Sequence, residues 1–451
     1  MQARTSNPAT VVPDARQAPV VPSASVPRRE GAAPSTRLFM PVVAAAVFVA
    51  VLTGSMVNVV LPLMRAEFGA SAAHVGWVVT GYSLAYAVGV PLFGRVSDLF
   101  GVRRVFALGL TVFAVGGLVC TAAPTLAVLV VGRAAQGVGG AAIPALATVA
   151  VARVLPPGRR GGAMGLVASS VGIGSSVGPV VGGAVAQFLD WRALFLGSFT
   201  LAVFLLPFAN RVLPVGGTAG DRRFDLPGGV LLGLGVGLFL FGVTQGQVAG
   251  FAAPSSWGSF LGVAVAAAGF VWRINRVSHP FVPPALFRNR RYMAAVGVGF
   301  FAMFANLAAL VVAPLLLLEV HGLSPGAAGL ALTPGAVALA LLSPAAGRLS
   351  DRLGVRLPIV AGLGTMGLAV LFLSTFAGAS PLLLAVGTAG LGVGLACVQS
   401  PASNAAADAL PGGAVGVGMG LFAGAFFPAR GRGRRSSGPS WPPVRQPAPR
   451  P

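Results

Sequence analysis

The chain carries very little charge for its size. Of its 451 residues only 9% are charged, whereas a soluble domain has roughly 25%. Lysine is absent, and the acids number 10 against 31 cations. So few charged side chains cannot cover a water-facing surface, which excludes an ordinary soluble protein. The net charge of +21 does not indicate a nucleic-acid partner, because the arginines occur in separate gaps between apolar stretches.

Cysteine and catalytic groupings are also scarce. The two cysteines, Cys120 and Cys397, are far apart and surrounded by apolar residues, a pattern unlike a disulfide framework or a metal site. The sequence shows no nucleophile–base pair, metal-ligand cluster or phosphate-binding loop, and its glycines lie inside apolar stretches. We therefore predict a protein that is not an enzyme and that uses no metal and no cofactor.

What the chain has in abundance is apolar sequence. Hydrophobic residues make up 55% of it, and many of them fall in runs of about 20, the length needed to cross a bilayer. We predict disordered tails at 1–37 and 428–451, the first of them cytoplasmic. The predicted spans, with a shorter thirteenth at the end, are 39–62, 74–94, 104–122, 125–151, 163–187, 193–213, 227–248, 257–275, 293–318, 326–346, 357–376, 381–400 and 413–427.

The distribution of arginine predicts the orientation. Among the gaps between the twelve long spans, 17 arginines fall in even-numbered gaps, and only Arg65 and Arg192 fall in odd-numbered ones. Loops rich in Arg stay on the cytoplasmic side. We therefore predict that the even-numbered gaps and the N-terminus are cytoplasmic.

One charged segment occurs twice. Gly94–Arg103 reads GRVSDLFGVR, and Gly347–Arg356 reads GRLSDRLGVR. Eight predicted spans separate the copies, and because eight is even both copies lie on the cytoplasmic side. This pattern indicates a parallel internal duplication, which is how many membrane carriers are built.

The chain resembles the fourteen-span drug:proton antiporter branch of the major facilitator superfamily over about residues 38–427. Besides the repeated segment, the resemblance rests on an arginine motif at 133–140, a glycine-rich run at 165–183 and the sequence 57–62. It implies an all-α membrane protein with two pseudo-symmetric six-helix bundles and two extra central helices. The implied parts are an N-terminal bundle at 38–213, the extra helices and linkers at 214–292, and an incomplete C-terminal bundle at 293–427.

The resemblance also implies a function. It points to a monomeric secondary active transporter of the plasma (inner) membrane that exports amphipathic small molecules or drugs by alternating access. The energy source would be the proton gradient, and the partners would be the substrate and the lipid bilayer. Two alternatives stay open, namely a carrier for another small solute and a non-transporting or inactive truncated membrane protein.

The repeated segment is predicted to be a latch whose contacts break and reform as two helix bundles rock. Its glycines permit close packing and a sharp turn, and Asp98 can accept hydrogen bonds from a helix N-terminus or pair with Arg103 or Arg104. The alternative is a topological anchor, in which the arginines only hold the segment inside. The predicted latch residues are Gly94, Asp98, Gly101, Arg103, Arg104, Gly347, Asp351, Arg352, Gly354 and Arg356.

Arg133 is the one charge well inside a predicted span. A charge near the bilayer centre costs at least about 2.5–3.5 kcal/mol, so such a residue is a functional-site hypothesis. We expect Arg133 to face a central cavity, and the alternative is that it snorkels to the interface. The predicted groups are Arg133, Gln136, Asn58 and Thr53 for proton coupling; Gly174, Gly178, Pro179, Gly182 and Gly183 for a pliable seam between the bundles; and Tyr82 and Tyr86 for substrate contact.

Two features depart from the family pattern. Thr53 stands where the branch usually has Asp, and every acid is predicted to lie in a tail, loop or helix end, so Asp98 and Glu319 are the remaining candidates for the proton carrier. After Phe427 the sequence becomes rich in Arg and Pro. One hypothesis is a reading-frame change that replaced the last helices; the alternative is a natural disordered tail.

Overall fold

The fold is entirely helical in the part of the chain that the structure, a computed structural model, describes, residues 36–214 and 225–425. The predicted tails 1–37 and 428–451 lie outside the described residues, apart from Thr36 and Arg37, which begin the first helix. Part of the linker before the first extra helix lies outside them as well.

Among the described residues, twelve helices are long and apolar enough to cross a membrane, and they match the twelve long predicted spans. The predicted thirteenth span is an eleven-residue helix within the described residues. The helices are α1 (Thr36–Glu67), α2 (Ala72–Phe100), α3 (Val102–Thr121), α4 (Leu126–Val154), α5 (Arg160–Phe188), α6 (Arg192–Val212), α7 (Leu226–Ala249), α8 (Pro254–Arg276), the short α9 (Ala285–Arg288), α10 (Arg290–Leu315), α11 (Pro325–Leu353), α12 (Arg356–Phe376), α13 (Pro381–Asp408) and α14 (Val415–Ala425).

Helices α1–α6 pack into a first bundle. Two of its helices have a serine or threonine at the N-cap. At the start of α2, for example, the side chain of Ser71 accepts a hydrogen bond of 3.2 Å from the backbone N–H of His74. Small residues let α3 and α4 approach closely, because a Cβ at Gly109 would overlap Ala142. Phe106 and Phe113 fill the core beside this crossing and are fully buried.

Helices α10–α14 form a second bundle in which α11–α13 repeat the arrangement of α2–α4. Just as α2 and α3 pack against α4, α11 and α12 pack against α13. The close crossing also recurs, because a Cβ at Gly362 on α12 would lie only 2.7 Å from the carbonyl oxygen of Gly394 on α13. The internal duplication seen in the repeated segment therefore extends to the packing of whole helices.

Helices α7 and α8 form a central hairpin that packs along α2. Gly233 and Gly237 of α7 face Val88 of α2, and Trp77 and Phe241 have ring centroids 6.2 Å apart. The hairpin therefore follows α2 over much of its length, on the side away from the core of the first bundle.

Asp225 fastens the base of the central hairpin. Its carboxylate accepts hydrogen bonds from Arg273 Nε (2.6 Å) and from the backbone N–H groups of Gly228 (3.0 Å) and Phe281 (3.2 Å). Burial alone would raise the pKa of this carboxyl, but these hydrogen bonds outweigh burial and lower the pKa below its ordinary value. The ionised carboxylate therefore stabilises the folded hairpin.

We expect Asp225→Ala to reduce the free energy of unfolding by about 2 kcal/mol, because it removes an acceptor from three donors, one of them charged. The measurement is thermal unfolding of the purified full chain in detergent. Since the folded-state pKa is lowered, the stabilisation is present above about pH 4 and is lost only as the pH falls through the lowered value.

Asp408→Ala is the matched control. Asp408 also forms an ion pair with an arginine, Arg160, at 2.8 Å, but its side chain is 45% exposed, and such surface pairs contribute about 0–1 kcal/mol. Equal destabilisation by the two substitutions would contradict the role given to Asp225.

Candidate functional site

Asp98 joins the first bundle to the second. It lies in the last turns of α2, and its side chain is 2% exposed. The carboxylate accepts hydrogen bonds from the backbone N–H groups of Gly416 (2.8 Å) and Val417 (2.9 Å), at the start of α14. A carboxylate at a helix N-terminus is favoured both by these free N–H groups and by the helix dipole.

Asp351 forms the same contact with the roles of the bundles exchanged. It lies near the end of α11 in the second bundle, and it accepts hydrogen bonds from Gly161 N (2.8 Å) and Gly162 N (2.9 Å) at the start of α5 in the first. Each copy of the repeated segment therefore caps a helix of the opposite bundle. We call these two contacts the inter-bundle caps.

Glycines allow the backbones to meet at each cap. A Cβ at Gly94 would overlap the carbonyl oxygen of Gly416, and a Cβ at Gly347 would overlap that of Gly161. The capping segments also match internally, because Ser97 and Ser350 donate hydrogen bonds of 2.7 Å to the carbonyl oxygens three residues before them. The close approach predicted for Gly94 and Gly347 is therefore present.

The predicted spans leave most of each repeated segment in a gap between helices. In the structure most of the segment is helical. In the first copy α2 continues to Phe100, and the chain turns at Gly101, where φ is +85°. In the second copy α11 continues to Leu353 and the turn is at Gly354, where φ is +81°. The sharp turns that the glycines predict are therefore present, with one residue between the helices in the first copy and two in the second.

The cation paired with Asp98 within the described residues is Arg153 of α4, at 2.5 Å, and not the predicted Arg103 or Arg104. Asp351 has Asn404 of α13 in the corresponding place, with Nδ2 at 3.5 Å from the carboxylate. The arginines of the repeated segment lie at this end of the helices, with Arg103 half-buried and Arg104, Arg352 and Arg356 exposed. We call this end the Arg-rich end.

Further contacts join the bundles at or near the Arg-rich end, among them the ion pair of Arg160 on α5 with Asp408 on α13. Ser400 Oγ donates a hydrogen bond of 2.8 Å to the carbonyl oxygen of Gly161. Ser169, about two turns further along α5, donates to the carbonyl oxygen of Ala340 on α11. At the opposite end, Glu67 bonds to Arg192 at 2.6 Å and thereby joins α1 to α6 within the first bundle alone.

Arg133 is fully buried inside the first bundle, and the expectation that it faces a central cavity is wrong. Its Nε donates to the carbonyl oxygen of Val78 (3.2 Å), and its Nη1 donates to Gln136 Oε1 (2.9 Å). Gln136 Nε2 in turn donates to Ser198 Oγ (3.2 Å), so the network connects α2, α4 and α6. The guanidinium also lies over the Tyr82 ring, 4.1 Å from its centroid.

This burial leaves Arg133 incompletely satisfied. Within residues 36–214 and 225–425 no carboxylate forms an ion pair with it, and its Nη2 has no hydrogen-bond partner. A buried charge without a partner is costly. Such groups are retained mainly where they serve a function.

Two residues predicted to accompany Arg133 lie elsewhere. Thr53 is buried, but its hydroxyl donates to the carbonyl oxygen of Val49 in its own helix (2.8 Å). Asn58 is exposed, and its Nδ2 donates to Ser55 O (3.3 Å). Of the predicted group, Gln136 alone bonds to Arg133, because it lies three residues further along the same helix.

Tyr82 and Tyr86 are largely buried, each 8% exposed, with ring centroids 5.9 Å apart. Tyr82 covers Arg133, and Tyr86 belongs to a cluster against which Ala423 of α14 packs. Substrate contact by either ring stays a prediction.

The glycines predicted as a seam between the bundles face α1 within the first bundle. A Cβ at Gly174, Gly178 or Gly182 would meet backbone or side-chain atoms of α1, and one at Gly183 would lie 3.9 Å from Val59. Pro179 is exposed within α5. The part of the glycine-rich run that meets the second bundle lies earlier, at Gly165, where a Cβ would overlap the carbonyl oxygen of Ser343.

Four functional candidates were not predicted from the sequence, namely Arg153, Asn404, Gly161 and Gly416. The internal duplication contains a partial signal for two of them. Arg153 follows Asp98 by 55 residues and Asn404 follows Asp351 by 53, so the two lie at nearly corresponding positions of the two copies.

Known proteins resemble this chain in sequence. The profile of the Major Facilitator Superfamily matches residues 43–427. The multidrug resistance protein Stp of Mycobacterium tuberculosis is 31% identical over 376 residues, which are 83% of this chain and 70% of that protein. The multidrug resistance protein B homolog of the same organism is 32% identical over 372 residues, 79% of this chain and 67% of that protein. The riboflavin transporter RibZ of Clostridioides difficile is 27% identical over 359 residues, 79% and 77% of the two chains.

Solved structures resemble it in fold. The human organic anion transporter MFSD10 aligns with a TM-score of 0.67 and 18% identity, over 88% of this chain and 92% of that one. The proton:xylose symporter XylE aligns with a TM-score of 0.62 and 15% identity, over 87% of each chain. The predicted all-α membrane fold is therefore confirmed. The chain belongs to the major facilitator superfamily.

Proposed function

We propose that this transporter exports amphipathic small molecules by proton-coupled alternating access, as in the fourteen-span drug:proton antiporter branch. The observation that carries the proposal is the pair of inter-bundle caps. Each cap links the end of a helix in one bundle to the start of a helix in the other, so the caps close the Arg-rich end only while the bundles are together. The positive-inside rule makes that end cytoplasmic, with the N-terminus on the same side.

The caps are strong enough to hold one state and weak enough to be exchanged for another. A hydrogen bond to a charged group contributes about 1.5–3 kcal/mol, and each aspartate accepts two from backbone N–H groups. In the open state these N–H groups and carboxylates would be hydrated. This hydration would offset part of the free energy that the caps contribute to the closed state, and substrate or proton binding would supply the rest.

The relatives' names support an efflux role and leave a second candidate. Two are multidrug resistance proteins, and one is a riboflavin transporter. Riboflavin is itself a flat amphipathic molecule, so a carrier for such a solute is the second candidate. For the proton carrier the candidates are Asp98, whose ionisation the cap requires, and Glu319, which is exposed on the π-helical turn that ends α10.

We expect Asp351→Ala to open the Arg-rich end, because Gly161 and Gly162 lose their acceptor. The reporter is Ser169→Cys, buried between α5 and α11, in a chain whose Cys120 and Cys397 are replaced by alanine. The rate of maleimide labelling of this cysteine should rise at least about tenfold, and Asp98→Ala should act in the same direction.

Asp190→Ala is the matched control for the caps. Asp190 also accepts a hydrogen bond from a helix start, Arg192 N at 2.7 Å, but within the first bundle. Its removal should leave labelling of the reporter unchanged. Labelling rates that are unaffected by loss of Asp98 or Asp351 would contradict the latch.

We expect Arg133→Lys to abolish most transport, since an ammonium cannot keep the contacts to Val78 and Gln136 and also lie flat over Tyr82. The measurement is accumulation of a fluorescent cationic dye in a pump-deficient bacterium, with and without an uncoupler. The unsubstituted chain should lower dye accumulation, and the uncoupler should abolish this effect. The efflux rate of the variant should be at least about tenfold lower than that of the unsubstituted chain.

Arg211→Lys is the matched control, because it makes the same exchange at an exposed arginine at the end of α6. It should leave efflux unchanged. Both variants are compared at equal amounts in the membrane. Dye levels equal to those of the empty vector, with the unsubstituted protein present in the membrane, would refute drug efflux. Uptake of riboflavin by the same cells would then favour the second candidate.

A further inference from the structure

An apolar cavity of about 450 Å³ lies where the central hairpin meets both bundles. The volume is within the 300–1,000 Å³ of small-molecule sites. Four helices line it, and two of them, α2 and α14, are the pair joined by the Asp98 cap. Its lining residues are Ala87 and Pro91 on α2, Leu231, Leu232, Gly235, Val236, Phe239 and Leu240 on α7, Val263, Ala267 and Phe270 on α8, and Leu421 and Gly424 on α14.

Among the described residues the lining is entirely apolar, so these residues would hold an occupant by apolar contact. All but α14 are long and apolar enough to cross the membrane, and the cavity lies along the length of these helices. Leu231 and Leu240 lie roughly 8 and 21 Å from the start of α7, at about 1.5 Å per residue. The cavity therefore extends from about one turn inside the Arg-rich end to near the middle of the bilayer, the depth of a lipid acyl chain.

Arg95 is a charged residue of α2 one helical turn beyond the part that lines the cavity, on the side of the Arg-rich end. It follows Pro91 by one helical turn, so it continues the face of α2 that Ala87 and Pro91 present to the cavity. Its Nε is buried and has no hydrogen-bond partner among the described residues. The side chain as a whole is half-buried. A guanidinium at this depth matches a phosphate at the bilayer interface.

We propose that the cavity holds an acyl chain of an anionic phospholipid whose phosphate lies beside Arg95. The lipid would contact the central hairpin, α2 of the first bundle and α14 of the second together. The proposal does not depend on what the transporter carries. It gives the central hairpin a role, because α7 and α8 form most of the cavity wall.

The test uses the full chain in nanodiscs that contain photoactivatable phosphatidylglycerol or phosphatidylcholine, each with a diazirine in its acyl chain. Mass spectrometry locates the labelled residues. We expect labelling to concentrate on the cavity-lining residues of α7 and α8, and phosphatidylglycerol to label them about fivefold more than phosphatidylcholine does. Arg95→Gln should reduce this ratio to near one, while Arg211→Gln, at an exposed arginine of α6, should leave it unchanged.

Gly235→Leu is the filling variant. A Cβ at Gly235 has only Ala266 nearby, at 3.8 Å, so a leucine side chain can enter the cavity without displacing backbone. We expect it to reduce cavity labelling by about tenfold. Gly258→Leu makes the same exchange on α8, where a Cβ would meet nothing within 4 Å, and should leave labelling unchanged. If Gly235→Leu does not yield monodisperse protein, Ala267→Phe fills the cavity from the other helix.

Two results would overturn the proposal. One is labelling of α7 and α8 that neither filling variant reduces, or labelling spread evenly over the lipid-exposed faces of α10 and α12, since both describe ordinary boundary lipid. The other is equal labelling by the two lipids in the unsubstituted chain, since it removes the role of Arg95. Dye efflux is not a readout of this test, so a failure of the proposed transport function would not affect its outcome.

Discussion

The architecture depends on aspartates that cap helices of the opposite bundle. Asp98 caps α14 and Asp351 caps α5, each through two backbone N–H groups, with bond lengths between 2.8 and 2.9 Å. A helix start needs acceptors for its free N–H groups, and here another bundle supplies them. The closed arrangement is therefore tied to the folding of each helix end, and separating the bundles has a defined free-energy cost.

Arg133 places a second constraint on the first bundle. Its contacts with Val78, Gln136 and Tyr82 join α2 to α4, and Gln136 extends the network to α6 through Ser198. A buried guanidinium must keep these contacts, because exposure to lipid or loss of an acceptor is costly. These contacts therefore hold three helices of the first bundle together, as the proposed rocking of two bundles would require. The lipid site proposed at Arg95 lies on the face of α2 that is directed toward the central hairpin, close to the Asp98 cap.

Residue patterns predicted the spans and the repeat well and the partners poorly. Runs of apolar residues identified the twelve long helices, because hydrophobic length is a local property. The turns at Gly101 and Gly354 were also predictable, since a positive φ favours glycine. The partner of Asp98 was not, because Arg153 is 55 residues away and the nearer Arg103 and Arg104 were equally plausible by charge. The glycines from Gly174 to Gly183 were assigned to the wrong neighbour for a related reason. Small residues predict close approach of helices without saying which helix approaches.

By itself, then, the sequence determined a multi-span, internally duplicated membrane protein, because span length, arginine spacing and repetition can be read along one chain. Only the tertiary structure decided which side chains meet. In the tertiary structure Arg133 lies inside the first bundle and does not face the second. Each repeated aspartate bonds to a helix start more than 180 residues away. Those outcomes depend on helix rotation and packing, to which every helix of the fold contributes, and no local pattern records them.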